Sequence, residues 1–359
     1  MPPYNRAMTT RILIVRTSSL GDLVHMLPAM TDIARHVPDA QIDWIAEEAF
    51  AEIPSWHPAV HEVIRVAHRR WRKHWWDAQT RRERAALRAD LAARQYDVIL
   101  DMQALLKSVW LVRQARGVRH GLDWKSAREP LASLFYDVKH RVEFWQPAIV
   151  RQRTLAAAAF GYALDGAPDF GLQAFTDGVA VQPVALIMPS ASRDDKLWPT
   201  GHWRQVFDHL QAQGLGLQLL AGNEAERARA QALIQGRDNA QVLPRLSLRQ
   251  VAEHLARARL MVGLDSGLTH LSAGLGRPTI GIYKASTPVR TPLQGAAYTA
   301  SLGERGQEPD AGQVMAAIDS ALDAARNESA PGVSLLPPGA PHADGPQARQ
   351  ACADPRPGA

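Results

Sequence analysis

RILIVRTSSLGD, residues 11–22, begins with four consecutive apolar residues, Ile12 to Val15, and closes on an acid, Asp22. An apolar run this short, bounded by polar residues, reads as a strand buried in a parallel sheet. SSLGD, 18–22, then reads as the turn that leaves the strand's carboxyl end. A helical pattern follows, with Leu23, Met26, Leu27, Met30 and Ile33 at intervals of three and four. Ligands of open α/β sheets bind beyond the carboxyl ends of the strands, so Asp22 is placed where a carboxylate can meet a substrate. It is placed equally well to cap the first turn of a helix. By itself the stretch leaves both roles open.

Outward from it, strand and helix patterns alternate twice over. Strands are expected at 11–16, 41–46, 62–67, 97–102 and 118–122, and again near 184–189, 215–221, 240–243, 260–264 and 279–283. Alternation of this kind makes doubly wound parallel sheets. Periodicity breaks near 170–183, between GAPDFG (166–171) and Gln182-Pro183. The expected plan is therefore an α/β chain with two Rossmann-like domains, 11–175 and 176–326, facing each other across a cleft. Residues 1–10 read as a flexible extension, and 327–359, rich in Pro, Gly and Ala, as a disordered tail.

Composition agrees with that plan. The chain has 359 residues, 46% hydrophobic and 21% charged, enough for two cores. Nothing approaches the roughly 18–20 consecutive apolar residues of a bilayer span. The first residues lack the apolar stretch of a secretory signal, so a cytoplasmic location is expected. A single cysteine, Cys352, leaves no intramolecular disulfide to form, as suits a reducing compartment.

Three polar constellations carry chemistry. The loop PSASRDDKLWPTGHW, 189–203, follows a strand and holds Ser190, Ser192, Arg193, Asp194, Asp195 and Lys196 before a helix opens at Trp198-Pro199. Hydroxyls, a helix N-terminus and one lysine suit a diphosphate. The plainer reading is a solvated loop whose Arg193 and Lys196 pair with Asp194 and Asp195. In LDSGLTHL, 264–271, a second strand ends at Asp265, and Ser266, Gly267 and His270 open a helix. There Gly267 permits close backbone approach, and the first-turn amides offer donors to an anion. An acid at 265 faces sugar hydroxyls better than a phosphate, or else caps the helix. The third constellation, HRRWRKHWW at 68–76, is basic and aromatic. Arg128 and Lys107 add positive charge near other strand ends, and the net charge is +5. Cations among tryptophans suit single-stranded nucleic acid or an anionic membrane surface, or are a solvated helix face. No GxGxxG follows the first strand, no P-loop occurs, and no cluster has metal-site spacing.

Five segments in order, RTSSLGD, the PSWHPAV–RRWRKHWW region, SAREPLASLFYD, RDDKLWP and LDSGLTHL, together resemble the ADP-heptose–lipopolysaccharide heptosyltransferase family, glycosyltransferase family 9. The resemblance runs from residue 11 to about 325. RDDK-W-P is nearer to the family's first heptosyltransferase than to its second. It implies the GT-B architecture and inverting transfer of L-glycero-D-manno-heptose from ADP-heptose to a Kdo residue of Kdo-lipid A, without metal or other cofactor. It further implies a protein peripheral on the cytoplasmic face of the inner membrane, with no nucleic-acid partner; the sequence leaves the oligomeric state open, with a monomer expected. A second heptosyltransferase, or a sugar-nucleotide epimerase of the same fold, is the alternative.

By the same resemblance Asp22 is the general base, and Lys196 steadies the leaving diphosphate. Ser192 touches phosphate, Glu224 holds the ribose, Leu246 lines the adenine pocket, and Asp265, Ser266, Gly267 and His270 contact the nucleotide sugar. Arg69, Arg70, Arg72, Lys73, Lys107 and Arg128 meet the carboxylates and phosphates of the acceptor. The chain departs from the family pattern at Ala191, where a hydroxyl is usual, and at Leu246, where a Met occurs. It departs again in the loop YKASTPVRTP, 283–292, for which no role carries over.

Overall fold

The structure, a computed structural model, describes residues 9–191 and 193–326 and the backbone of 334–335. Ser192 and the remainder of the expected extension and tail lie outside the described residues. Thr10, expected in the extension, is buried, and its carbonyl accepts from the Gln41 amide.

The apolar run before RTSSLGD forms β1 (Arg11–Val15), and Ile12 to Val15 are wholly buried. Around it stand β2 (Gln41–Glu47), β3 (Val60–Val66), β4 (Gln95–Asp101), β5 (Arg116–Leu122) and β6 (Val138–His140), every pairing parallel. The spatial order is β3-β2-β1-β4-β5-β6. From β1 the chain winds outward to β3, then returns to the other side of β1 with β4. This reversal opens a crevice beyond the carboxyl ends of β1 and β4. RTSSLGD and DMQALLK (101–107) are the loops that line it.

The second sheet repeats the device. It comprises β7 (Gln182–Met188), β8 (Gly216–Leu219), β9 (Ala240–Val242), β10 (Ala258–Leu264), β11 (Thr279–Ile282), β12 (Thr299–Leu302) and β13 (Ser334–Leu335). Their order is β13-β12-β11-β10-β7-β8-β9, again all parallel. Here the winding reverses between β7 and β10, whose loops are PSASRDDKLWP and DSGLTH. Both polar loops of the second half thus occupy its switch point.

All ten expected strands form, and three more do not show in the pattern. β6 and β12, VKH and TASL, are short and lack the apolar run that signals a buried strand. β13 has two residues. The helix expected from Leu23 to Ile33 is two helices, Leu20–Val24 and Leu27–His36, with Pro28 in the first turn of the second, where its missing N–H costs nothing.

The domains share a core. Phe170, Leu172 and Phe175, on the crossing segment, belong to one apolar cluster with Leu27 and Met30 of the first domain and Leu271 and Leu275 of the second. The segment is tied to the first domain at Asp169, whose carbonyl accepts from the Thr31 hydroxyl at 2.8 Å and whose carboxylate meets Arg35; just ahead of it, a buried ion pair joins Arg153 Nε to Asp32 Oδ2 at 2.7 Å. Arg153 also donates to the carbonyls of Asp165 and Gly166, so all three of its nitrogens are hydrogen-bonded. Among the described residues no helix is long and apolar enough to cross a membrane.

Candidate active site

Asp22 is the third residue of the helix Leu20–Val24. Its Oδ2 accepts from the Ser19 amide at 2.7 Å and the Ser19 hydroxyl at 2.9 Å, while Oδ1 meets the Arg16 guanidinium at 2.5 Å. It therefore does serve the helix start, yet 39% of its side chain stays exposed, so the carboxylate can still be reached. Burial pushes its pKa up, but the Arg16 charge, the Ser19 amide and nearby His25 outweigh it and hold the group at about 2. Asp22 is thus ionised and able to accept a proton.

The β4 loop fixes the β1 loop in place. Arg16 Nη1 donates to the Met102 carbonyl at 2.7 Å. Gln103 Oε1 accepts from the Thr17 amide and hydroxyl at 3.1 and 2.9 Å. Lys107 Nζ donates to Ser18 Oγ at 3.1 Å. The β4 loop in turn hangs on Asp101, a fully buried carboxyl that accepts from the amides of Gln103 and Ala104 and the hydroxyls of Ser108 and Tyr136. Arg16, Asp101 and Gln103 carry no local mark of these roles in the sequence. Their signal is the strand order, which makes loops more than 80 residues apart neighbours.

In the second domain, Lys196 ends the short turn Asp194–Lys196 and reaches Asp265, with Nζ 2.7 Å from Oδ2 and 3.1 Å from the backbone carbonyl. Asp265 also receives the Ser286 hydroxyl at 2.6 Å and lies 3.4 Å from His270 Nε2. Burial pushes the Asp265 carboxyl up, but His270 and Lys196 hold it well below the usual carboxylate range. The capping role considered for Asp265 belongs to Ser266, whose Oγ accepts from the Thr269 amide at 3.4 Å. Of the local charge pairs expected in the loop, Arg193 with Asp195 forms, whereas Lys196 turns away into the site.

The two halves meet at their glycines. A Cβ on Gly267 would lie 2.7 Å from the Gly21 amide nitrogen and 2.3 Å from Leu20 Cδ2, so the starts of helices Leu20–Val24 and Gly267–Gly274 touch backbone to backbone. Beneath them His25 packs edge-on against His270, ring centroids 4.4 Å apart at 84°. His25 is buried, neither ring nitrogen has a hydrogen-bond partner among the described residues, and burial chiefly drives its pKa down to about 3. This contact brings Asp22 and the Lys196–Asp265 pair to one cleft.

Other expected residues are less tightly placed. Glu224 opens the helix Glu224–Ile234 with its side chain 95% exposed, while Glu226 folds back onto the Gly222 amide. Leu246 is half-buried against the shared core. Arg72, Lys73 and Arg128 are exposed. Arg69 lies over the Phe50 ring at 4.7 Å. Arg70 differs from expectation: its guanidinium clamps Glu48 and Glu83, so it braces its helix instead of offering a charge to the cleft. Trp71, of the three tryptophans in the basic run, is core; its indole N–H donates to Glu83.

The family model for glycosyltransferase family 9 (heptosyltransferase) matches residues 84–317. The lipopolysaccharide heptosyltransferase 1 of Salmonella typhimurium is 46% identical over 288 residues, covering 77% of this chain and 89% of that protein. The structure of E. coli heptosyltransferase WaaC with ADP is similar at a TM-score of 0.80 and 41% identity, over 87% of this chain and 99% of that one. WaaC with ADP-2-deoxy-2-fluoro heptose gives a TM-score of 0.79, with the same identity and coverage.

Proposed function

The chain belongs to glycosyltransferase family 9, the heptosyltransferases, and from that premise we propose that it moves L-glycero-D-manno-heptose from ADP-heptose to a Kdo residue of Kdo-lipid A. It is a glycosyltransferase that transfers heptose in building the lipopolysaccharide inner core. The acceptor is anchored by acyl chains, so the protein works at the cytoplasmic face of the inner membrane, bound peripherally.

One observation carries the reading: an ionised, reachable carboxylate and a lysine-bearing anion loop meet at the Gly21–Gly267 contact. Asp22 takes the proton from a Kdo hydroxyl as that oxygen attacks the anomeric carbon from the face opposite ADP. The bond from that carbon to the phosphate oxygen breaks, ADP leaves with the electron pair, and the configuration inverts. Lys196 and the first amides of Gly267–Gly274 stabilise the departing diphosphate, so in this reading no metal ion is required. Asp265, itself held by the Ser286 hydroxyl, keeps Lys196 ready for the diphosphate, and the exposed Arg72, Lys73 and Arg128 receive the acceptor's anionic groups.

Incubating the protein with ADP-heptose and Kdo-lipid A, with and without a chelator, should release ADP and add one heptose mass to the acceptor in both. Asp22→Ala should keep the fold and ADP-heptose binding but lose about 10²–10⁴-fold in turnover, the usual contribution of a general base. Near-normal turnover by that variant would remove Asp22 from its role. Transfer only to an already heptosylated acceptor would overturn the acceptor assignment.

A further inference from the structure

Three segments on one flank of the first domain end in exposed apolar side chains that heptose transfer does not use. Trp75 and Trp76, the latter 70% exposed, form the tip between helices His68–Lys73 and Ala78–Ala93, their rings 3.8 Å apart. Leu106, also exposed, begins the helix Leu106–Val112. Leu131 and Leu134, the latter 62% exposed, stand on the 3-10 turn Pro130–Phe135. The helix Leu106–Val112 joins the other two. Its Trp110 packs edge-on against His68 at 5.8 Å and under Arg84 at 5.1 Å, and its Val109 forms a small apolar cluster with Ala132 and Tyr136.

Two tryptophans and three leucines left open on one flank are more than scattered surface apolarity explains. The exposed cations Arg72, Lys73 and Arg128 border them, each within a few residues of an apolar tip. That rim disfavours a second copy of the chain, which would set like charges against each other. Single-stranded nucleic acid would use the aromatic rings but would gain little from branched aliphatic side chains, which offer bases no stacking face. An anionic bilayer uses every part: tryptophan at the headgroup level, leucine in the acyl boundary, and cations on lipid phosphates.

We propose that this flank is the face by which the protein docks on an anionic lipid bilayer, through Trp75, Trp76, Leu131 and Leu134. The proposal deepens the acceptor reading by giving the membrane a specific surface of the chain. Docking there also orients the site. Lys107, next to Leu106, holds Ser18 of the Asp22 loop, so the catalytic crevice comes to rest beside the bilayer surface where a lipid-borne sugar projects.

The test is flotation of the full chain with vesicles of phosphatidylglycerol and phosphatidylethanolamine, against vesicles of phosphatidylcholine alone. The wild type should float with the anionic vesicles only. Trp75→Ser/Trp76→Ser and Leu131→Ser/Leu134→Ser should each lose at least tenfold in partitioning, with unchanged circular dichroism and thermal midpoint. Both should retain turnover on an acyl-free, water-soluble Kdo acceptor. Undiminished flotation of the two combined, or no flotation of the wild type, would overturn the docking face. So would wild-type dimerisation that the same substitutions abolish. Because flotation requires no transfer, a failure of the heptosyltransferase reading shows in the soluble assay and leaves the vesicle result legible.

Discussion

Arg16 acts on Asp22 in two ways. Its guanidinium, held by the Met102 carbonyl, aims the carboxylate, and its charge is the first of the influences opposing the upward push of burial. The other charged or titratable groups around Asp22 are His25 on the next turn and Lys107 from the β4 loop. A folded pKa of about 2 keeps the proposed base ionised at working pH at the cost of basicity. Arg16→Met should let burial prevail, so Asp22 titrates higher and the acid limb of kcat/KM moves up into view above about pH 4. Arg16→Lys should keep that limb out of range. A pH–rate profile with a circular dichroism control reads both, and an unmoved limb in Arg16→Met would show that Ser19 and His25 hold the carboxylate down without Arg16. Asp265 acts analogously on Lys196, holding its ammonium group in place for the proposed diphosphate contact.

At the scale of elements, the site is a meeting of two helix starts, and it depends on how closely they approach. The backbone of Gly267 is not left-handed, so a side chain there is forbidden by crowding alone. Gly267→Ala must move the Gly21 amide, a backbone atom that cannot swing aside, at a cost of about 1–3 kcal/mol typical of overpacking. The expected outcome is at least a tenfold loss in kcat/KM with retained secondary structure; unchanged kinetics would mean that the domains need not touch during turnover. The loop YKASTPVRTP, which carried no role over from the family, makes a clasp in this fold. Ser286 reaches Asp265, Arg290 lies over the Phe144 ring at 4.4 Å, and the Arg290 carbonyl accepts from the Ala148 amide of the other domain.

For the whole molecule, the shared core and the His25–His270 contact make domain packing sensitive to acid. Burial sets the folded pKa of His25 near 3 and that of His57 and His68 near 4, all below the unfolded value. The unfolded chain therefore binds protons first. Stability is full above about pH 6.5 and falls as pH drops toward those folded values. Replacing His25 with Phe removes one buried titrating ring at the interdomain contact. The thermal midpoint of His25→Phe should fall less steeply between pH 6.5 and 4.5, by at least ~2 °C, the change that about 1 kcal/mol makes in a domain of this size. An unchanged slope would place the acid sensitivity at the other histidines.

The α/β class and ten of the strands were legible in the sequence, as was the gathering of polar residues in RTSSLGD, RDDKLWP and DSGLTHL. These rest on local properties: apolar runs flanked by turns, helix starts, and residue types suited to anions. Partnership came from the fold. Strand order placed DMQALLK beside RTSSLGD and so gave Asp22 the Arg16–Met102 support and Gln103 its purpose. It sent Lys196 to Asp265 instead of its neighbours, assigned Arg70 to two glutamates, and buried Trp71 while leaving Trp75 and Trp76 outside. A side chain's composition limits what it can bind. Its burial and its nearest charge are set by residues far away in the chain, which the fold alone brings within reach.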